Sequence, residues 1–267
     1  MVRRPHDRGS RIETRSGCKP RRPWKLAASL AALALVASAC ALFREDPNLQ
    51  YIDPADAEKP RHFMVLPLNL AIEAPADLEP ALHDMFGAIA GYIRGRGDSI
   101  ETLSRDDASA QWAAAIQKVT ASEALENNFA SAMRVFVANL AETHTFNAVI
   151  APSLVYRTTK TRERTAKWDG VFRKMKVINL SDTAKKKGLA RSFTVEISGV
   201  SLHVMIFEPG GTLIFQKYGG LDLAHNVDMA NAEFTLSPSL ALREDLLKDG
   251  EHIGEGIGKA FDPYLPR

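Results

Sequence analysis

The amino-acid sequence predicts an α+β (α/β) domain with helices packed on a mixed sheet. Three observations predict it. An apolar run from His62 to Asn69 precedes a helical stripe and a second short apolar run, which is the order of a split β-α-β unit. Two more helical stripes follow before the period changes at Phe146. Strand patterns then dominate, with a strand-turn-strand near the end and one last helical stretch. The predicted order is β-α-β-α-α-β-β-β-β-α, in a single domain over residues 62–267.

His62-Phe-Met-Val-Leu-Pro-Leu-Asn69 reads as a buried strand ending at Pro67. Asp77 is placed to cap a helix whose face carries Leu78, Leu82, Met85, Phe86, Ile89 and Ile93, with Gly95 and Gly97 as its stop. Ser99–Leu103 is a short strand. Ser104-Arg-Asp-Asp107 forms a capping motif with Asp in place of the usual Glu, and Trp112, Ala115, Ile116 and Val119 extend that helix. A further helix from about Ser122 lines up Leu125, Phe129, Met133, Phe136, Val137 and Leu140.

Asn147–Tyr156 is a strand whose Pro152 predicts an edge position or a bulge. Between Arg191 and Phe207 the apolar residues change phase. Phe193, Val195 and Ile197 are odd, whereas Val200, Leu202, Val204 and Ile206 are even. A bulge at Ser198-Gly199 would turn both sets to one core. Glu208-Pro-Gly-Gly211 is a tight turn, and Thr212–Leu223 returns antiparallel with a bend at Gly219-Gly220. Residues 239–261 read as a closing helix bearing Leu242, Leu246, Ile253, Ile257 and Phe261, weakened by its glycines.

The first 61 residues follow other rules. Nine basic residues and two acidic ones surround or precede a stretch from Leu26 to Ala39, fourteen residues without a charge. That length cannot span a hydrocarbon core of about 30 Å as a helix and suits the apolar region of a signal peptide. Ala37-Ser38-Ala39 gives the small residues of a cleavage site after Ala39, and Cys40 follows. This stretch resembles the lipobox of bacterial lipoproteins, and the resemblance implies that Cys40 receives a diacylglyceryl thioether and then an N-acyl chain, typically palmitate. Ordinary secretory cleavage would cut the same bond, and both routes export the chain. Residues 40–61, with Pro47, Pro54 and Pro60, form a tether.

Removing residues 1–39 reverses the charge balance. The whole chain has 34 basic and 32 acidic residues; without the leader 25 face 30, a net of −5. A general basicity argument for nucleic-acid binding therefore fails, and no nucleic-acid partner is expected. Cys18 leaves with the leader and Cys40 is the lipid site, so no thiol remains to pair.

No chemistry-bearing motif stands out. The histidines at 62, 83, 144, 203, 225 and 252 show no metal-ligand spacing, and no serine or cysteine nucleophile signature is present. Gly254-Glu-Gly-Ile-Gly258 lacks the preceding strand and the length of a phosphate loop. Carboxylates are plentiful, and spacing singles out no pair for glycosidase-type chemistry. No catalytic residue, metal or cofactor is expected.

Charge does segregate. Residues 157–191 hold twelve basic and three acidic residues, a net of +9, leaving −14 elsewhere in the processed chain. A charge run is most often a solvated face, and lysines also blunt exposed strand edges. The functional reading is a docking face for an anionic envelope surface or an acidic protein. Alternation on a strand separates Arg173 from Lys174 and Lys176, so Lys174 and Lys176, with the loop lysines Lys185, Lys186 and Lys187, form the binding candidate.

From His62 onward the chain resembles the TolB-N-terminal and curli-secretion class of periplasmic lipoproteins. The resemblance rests on Met64-Val-Leu-Pro67, Phe146-Asn-Ala-Val-Ile150 and the strand-turn-strand Val204–Phe215. It implies an assembly, secretion or cell-wall accessory role rather than catalysis. Ala41 after the cysteine, rather than Asp, fits outer-membrane sorting under the Asp retention rule. The expected protein is therefore anchored at Cys40 to the outer membrane, faces the periplasm and acts by binding an envelope protein or anionic surface. The rival expectations are a periplasmic enzyme on envelope polymers and a subunit of an oligomeric secretion complex.

Overall fold

β1 (His62–Val65) lies between β2 (Ser99–Thr102) and β3 (Ala148–Arg162) and runs parallel to both. A computed structural model of the protein describes residues 61–121, 128–162, 164–180, 182, 194–230 and 239–265. Helix α1 (Leu82–Arg94) carries the chain from β1 to β2, while α2 (Arg105–Ala121) and α3 (Asn128–Thr143) carry it on to β3. These crossovers cover opposite faces of the sheet. Phe63 and Val65 pack with Met85, Ile89 and Ile93 of α1; Met64 and Leu66 pack with Met133, Phe136 and Val137 of α3. A strand covered on both faces must be apolar at every position, which is what the run from His62 onward records.

The helix starts follow local chemistry. Ser104 Oγ accepts from the Asp107 amide at 3.0 Å and donates to the Asp107 carboxylate at 2.6 Å, so the short acid completes the capping motif. Asp77 does not cap α1. A single 3-10 turn at Glu79–Ala81, with Pro80 in it, comes first, and the Asp77 carboxylate instead accepts from the Tyr156 hydroxyl. Ile116 is exposed rather than part of the packed stripe of α2, where Ala108, Ala115 and Val119 are buried.

β3 pairs along its length with β7 (Glu196–Phe207), which in turn pairs with β8 (Leu213–Leu223), both antiparallel. Pro152 sits opposite Val204 in unbroken register, so β3 is neither an edge strand nor bulged there. The Pro152 carbonyl accepts from Asn69 N at 3.0 Å, on the flank where β1 has already ended. The nitrogen of a strand residue points to the same side as its carbonyl, so the missing N–H faces that flank and costs no bond to β7. Asn69 then closes the gap, accepting from Leu154 N at 2.9 Å and donating to Leu154 O at 3.0 Å.

The expected bulge at Ser198-Gly199 is absent, since the β3–β7 register runs through it. Val195 and Ile197 face the side of the sheet opposite to the even set, and each side has a core; Phe193 lies outside the described residues. Val200, Leu202, Val204 and Ile206 join the α1 side, whereas Ile197 packs with Trp168 and Val171 on the other. β7 and β8 carry two register shifts; at one of them Val200 faces Asp222 and Ser201 faces Gly220, leaving Leu221 as the extra residue.

Beyond β1, the far end of β3 is extended by a hairpin, β4 (Thr165–Trp168) and β5 (Val171–Lys174). A second mixed sheet has the order β10-β9-β6, formed by Ser239–Leu242, His225–Asp228 and Val177–Ile178. Leu242 therefore lies in β10 opposite His225, not in the last helix. That helix, α4 (Gly250–Phe261), starts at the Asp249 cap, whose carboxylate accepts from the Glu251 and His252 amides. Its glycines bring it onto β8. A Cβ on Gly256 would lie 2.4 Å from Gly220 O, and one on Gly219 would lie 2.0 Å from Gly256 O.

Candidate functional site

The β4–β5 hairpin turns at Asp169-Gly170, whose φ values of 41° and 81° match a two-residue type I′ turn. Side chains then alternate strictly. Ala166, Trp168, Val171 and Arg173 point inward and are buried, whereas Thr165, Lys167, Phe172 and Lys174 point outward and are exposed. The inward side is fastened firmly. The Trp168 indole N–H donates to Ser201 Oγ at 3.0 Å, and a Cβ on Gly199 would come within 2.4 Å of that ring. Arg173, 5% exposed, donates to Leu221 O at 3.1 Å, to His252 O at 3.3 Å and to the Glu255 carboxylate at 2.6 Å.

Lys174 and Lys176 are both exposed, in phase with each other and opposite in phase to Arg173. Lys185, Lys186 and Lys187 lie outside the described residues, as do Cys40 and Ala39. The strand register sets further cations beside Lys174. Arg162 of β3 stands opposite Thr165, which stands opposite Lys174. Lys167 stands opposite Phe172, with its ammonium 5.0 Å from the ring centroid. Lys160 shares the outward phase of Arg162 and faces Glu196 on β7. Phe172 is 61% exposed in the middle of these cations. Asp245 lies near the opposite margin, its carboxyl held below the ordinary 3.8 chiefly by a hydrogen bond from Arg243, with the Lys176 charge adding to the effect.

Three other places could hold chemistry. The carboxylate of Glu101 on β2 meets two histidines, His144 Nδ1 at 2.7 Å and His62 Nε2 at 3.5 Å. It is held below its ordinary value chiefly by the His144 hydrogen bond, against desolvation, with His62 adding to it. No spacing signal marks this cluster, because its members come from β1, β2 and the turn after α3. A crevice of about 590 Å³ opens at the carboxyl ends of β1 and β2, lined in part by Leu68, His83, Leu103 and Arg105. Glu79 also lines it, and the Arg105 guanidinium donates to the Leu68 carbonyl at 2.6 Å. Ser201, fully buried beside Trp168, donates straight to Asp169 at 2.6 Å with no histidine between them. That geometry braces the hairpin turn rather than activating a nucleophile.

Among the described residues, no group of three or more His, Cys, Asp or Glu is placed to hold a metal ion. None of the described helices is long and apolar enough to cross a membrane. Compared with known proteins, the chain matches no family model, and no curated protein or solved structure at a significant level.

Proposed function

We propose that the protein is a lipid-anchored accessory protein of the outer membrane, facing the periplasm and acting by binding. The observation that carries this reading is the segregation of charge onto one face. Lys160, Arg162, Lys167, Lys174 and Lys176 are exposed together on the outward side of β3, β4 and β5 and the residues just after, in a processed chain of net −5. Surface cations gathered on a rigid ribbon favour an anionic counterpart and speed encounter with it. The leader with Cys40 after Ala37-Ser38-Ala39 supports the anchor, and the resemblance to the TolB-N-terminal and curli-secretion class supports an accessory role.

The anchor is tested by mass. The protein recovered from cell envelopes is expected to begin at Cys40 and to carry the added mass of a diacylglyceryl group and an acyl chain. Cys40→Ala should move the folded protein from the membrane to the soluble fraction. Each buried methylene contributes roughly 0.8 kcal/mol, so several chains hold a protein firmly where one does not. A processed protein without lipid at Cys40 would contradict the anchor.

A further inference from the structure

We infer that the outward face of the β4–β5 hairpin docks on an anionic lipid bilayer, with Phe172 entering the headgroup region and the surrounding lysines meeting lipid phosphates. This deepens the binding role proposed above and rests on it only for placing the protein at the envelope. Phe172 is the first ground for it. At 61% exposed, it is held outward on a strand whose inward neighbours Trp168 and Arg173 are locked in place. The Lys167 ammonium stands 5.0 Å from its ring centroid. An aromatic ring kept in water by a rigid scaffold gains by partitioning into a membrane interface.

The second ground is the arrangement of charge around the ring. In one row across the ribbon stand Arg162, Thr165 and Lys174; in the next, Lys167 and Phe172, with Lys160 in outward phase beyond. Lysine stems can lie along the apolar ring while their ammonium groups reach outward to phosphates, the snorkelling arrangement of interfacial anchors. Among the described acids nearby, Glu196 stands beyond Lys160, Asp245 lies near Lys176, and Asp169 at the turn is engaged by Ser201 and Arg157. A protein partner would have to supply a pocket for Phe172 as well as the countercharge, whereas a bilayer supplies both without a matched shape.

Reach permits this together with an anchor at Cys40. The start of β3 lies beside the start of β1, where Asn147 N donates to His62 O at 2.7 Å, so the hairpin is toward the far end of β3. Fourteen steps of strand from Ala148 to Arg162 span about 46 Å, and the 21 residues from Cys40 to Arg61 have a contour of up to about 70 Å.

The test uses protein expressed from the full sequence with Cys40→Ser, so that no acyl chain contributes, and sedimentation with vesicles. Equimolar phosphatidylglycerol and phosphatidylcholine are compared with pure phosphatidylcholine. The parent should bind the mixed vesicles, release them as salt rises, and ignore the neutral ones. A cation near a charged surface contributes about fivefold, so joint Lys160→Gln, Lys167→Gln and Lys174→Gln should weaken binding about 100-fold. Phe172→Ser should weaken it about tenfold while leaving its salt dependence in place. Binding is read on protein whose mass shows that it begins after Ala39, because the nine cations and the apolar stretch of the leader would themselves bind vesicles. Circular dichroism melts confirm that each variant folds. Equal binding by the triple variant, equal binding to neutral vesicles, or capture by an envelope protein with none by vesicles would overturn the inference.

Discussion

Arg173 on β5 and Glu255 on α4 meet at 2.6 Å, tying the hairpin to the closing helix. The two ends of this bridge are unequal. Arg173 is 5% exposed and also holds the carbonyls of Leu221 and His252, whereas Glu255 is 41% exposed. Its energetic worth therefore lies with the arginine. Arg173→Gln leaves a buried carbonyl without its donor and should cost about 2 kcal/mol. Glu255→Gln weakens a partly hydrated pair and should cost under about 1 kcal/mol. Urea denaturation of the two variants checks the order; a larger loss at Glu255 would contradict it.

The exposed lysines behave differently. Lys174 and Lys176 have no inward role, so their replacement should leave stability within about 0.5 kcal/mol of the parent. One residue apart on the same strand, Arg173 is structural and Lys174 is free to meet a partner. Alternation on the ribbon makes that division.

Acid should act partly through Glu101. Its carboxyl is held below the ordinary 4.5 in the folded state, chiefly by the His144 hydrogen bond. A lowered folded value adds stability at pH above 4.5 that is lost as pH falls through the folded value. Glu101→Gln should therefore lower stability near neutral pH and flatten the acid side of the stability profile. An acid limb as steep in the variant as in the parent would show that other carboxylates govern it.

The glycines of α4 should split into two kinds. Gly254 is exposed with open space where a Cβ would stand, so Gly254→Ala should stabilise the helix by roughly 0.5–1 kcal/mol. Gly256 would place a Cβ 2.4 Å from Gly220 O, so Gly256→Ala should destabilise by about 1–3 kcal/mol. Paired thermal melts read both. Read as sequence, the glycines only weaken a helix; in the fold, Gly256 sets how close that helix lies to β8.

The parts of the fold legible in the sequence are those set by nearby residues. The Ser104 cap and the first strand needed no distant partner to be read. The phase change at Ser198-Gly199 implies a bulge only in a sheet with one core, and here Val200 and Ile197 face separate cores. Pro152 implies an edge or a bulge from local chemistry alone, whereas in the fold β1 stops short of it and Asn69 fills the flank. For the candidate site, alternation alone separated Arg173 from Lys174 and Lys176. Placing Lys160, Arg162 and Lys167 beside Lys174 required the strand register, and the meeting of His62, Glu101 and His144 required the parallel sheet.

Photo-crosslinking in intact cells tests the binding role most directly. A photoreactive residue in place of Lys174, on the outward face of β5, is compared with one in place of Lys118, exposed on α2. Position 174 is expected to capture an envelope component, lipid or protein, with a yield that falls as salt rises, while position 118 captures little. Equal and salt-independent yields at the two positions would contradict the account.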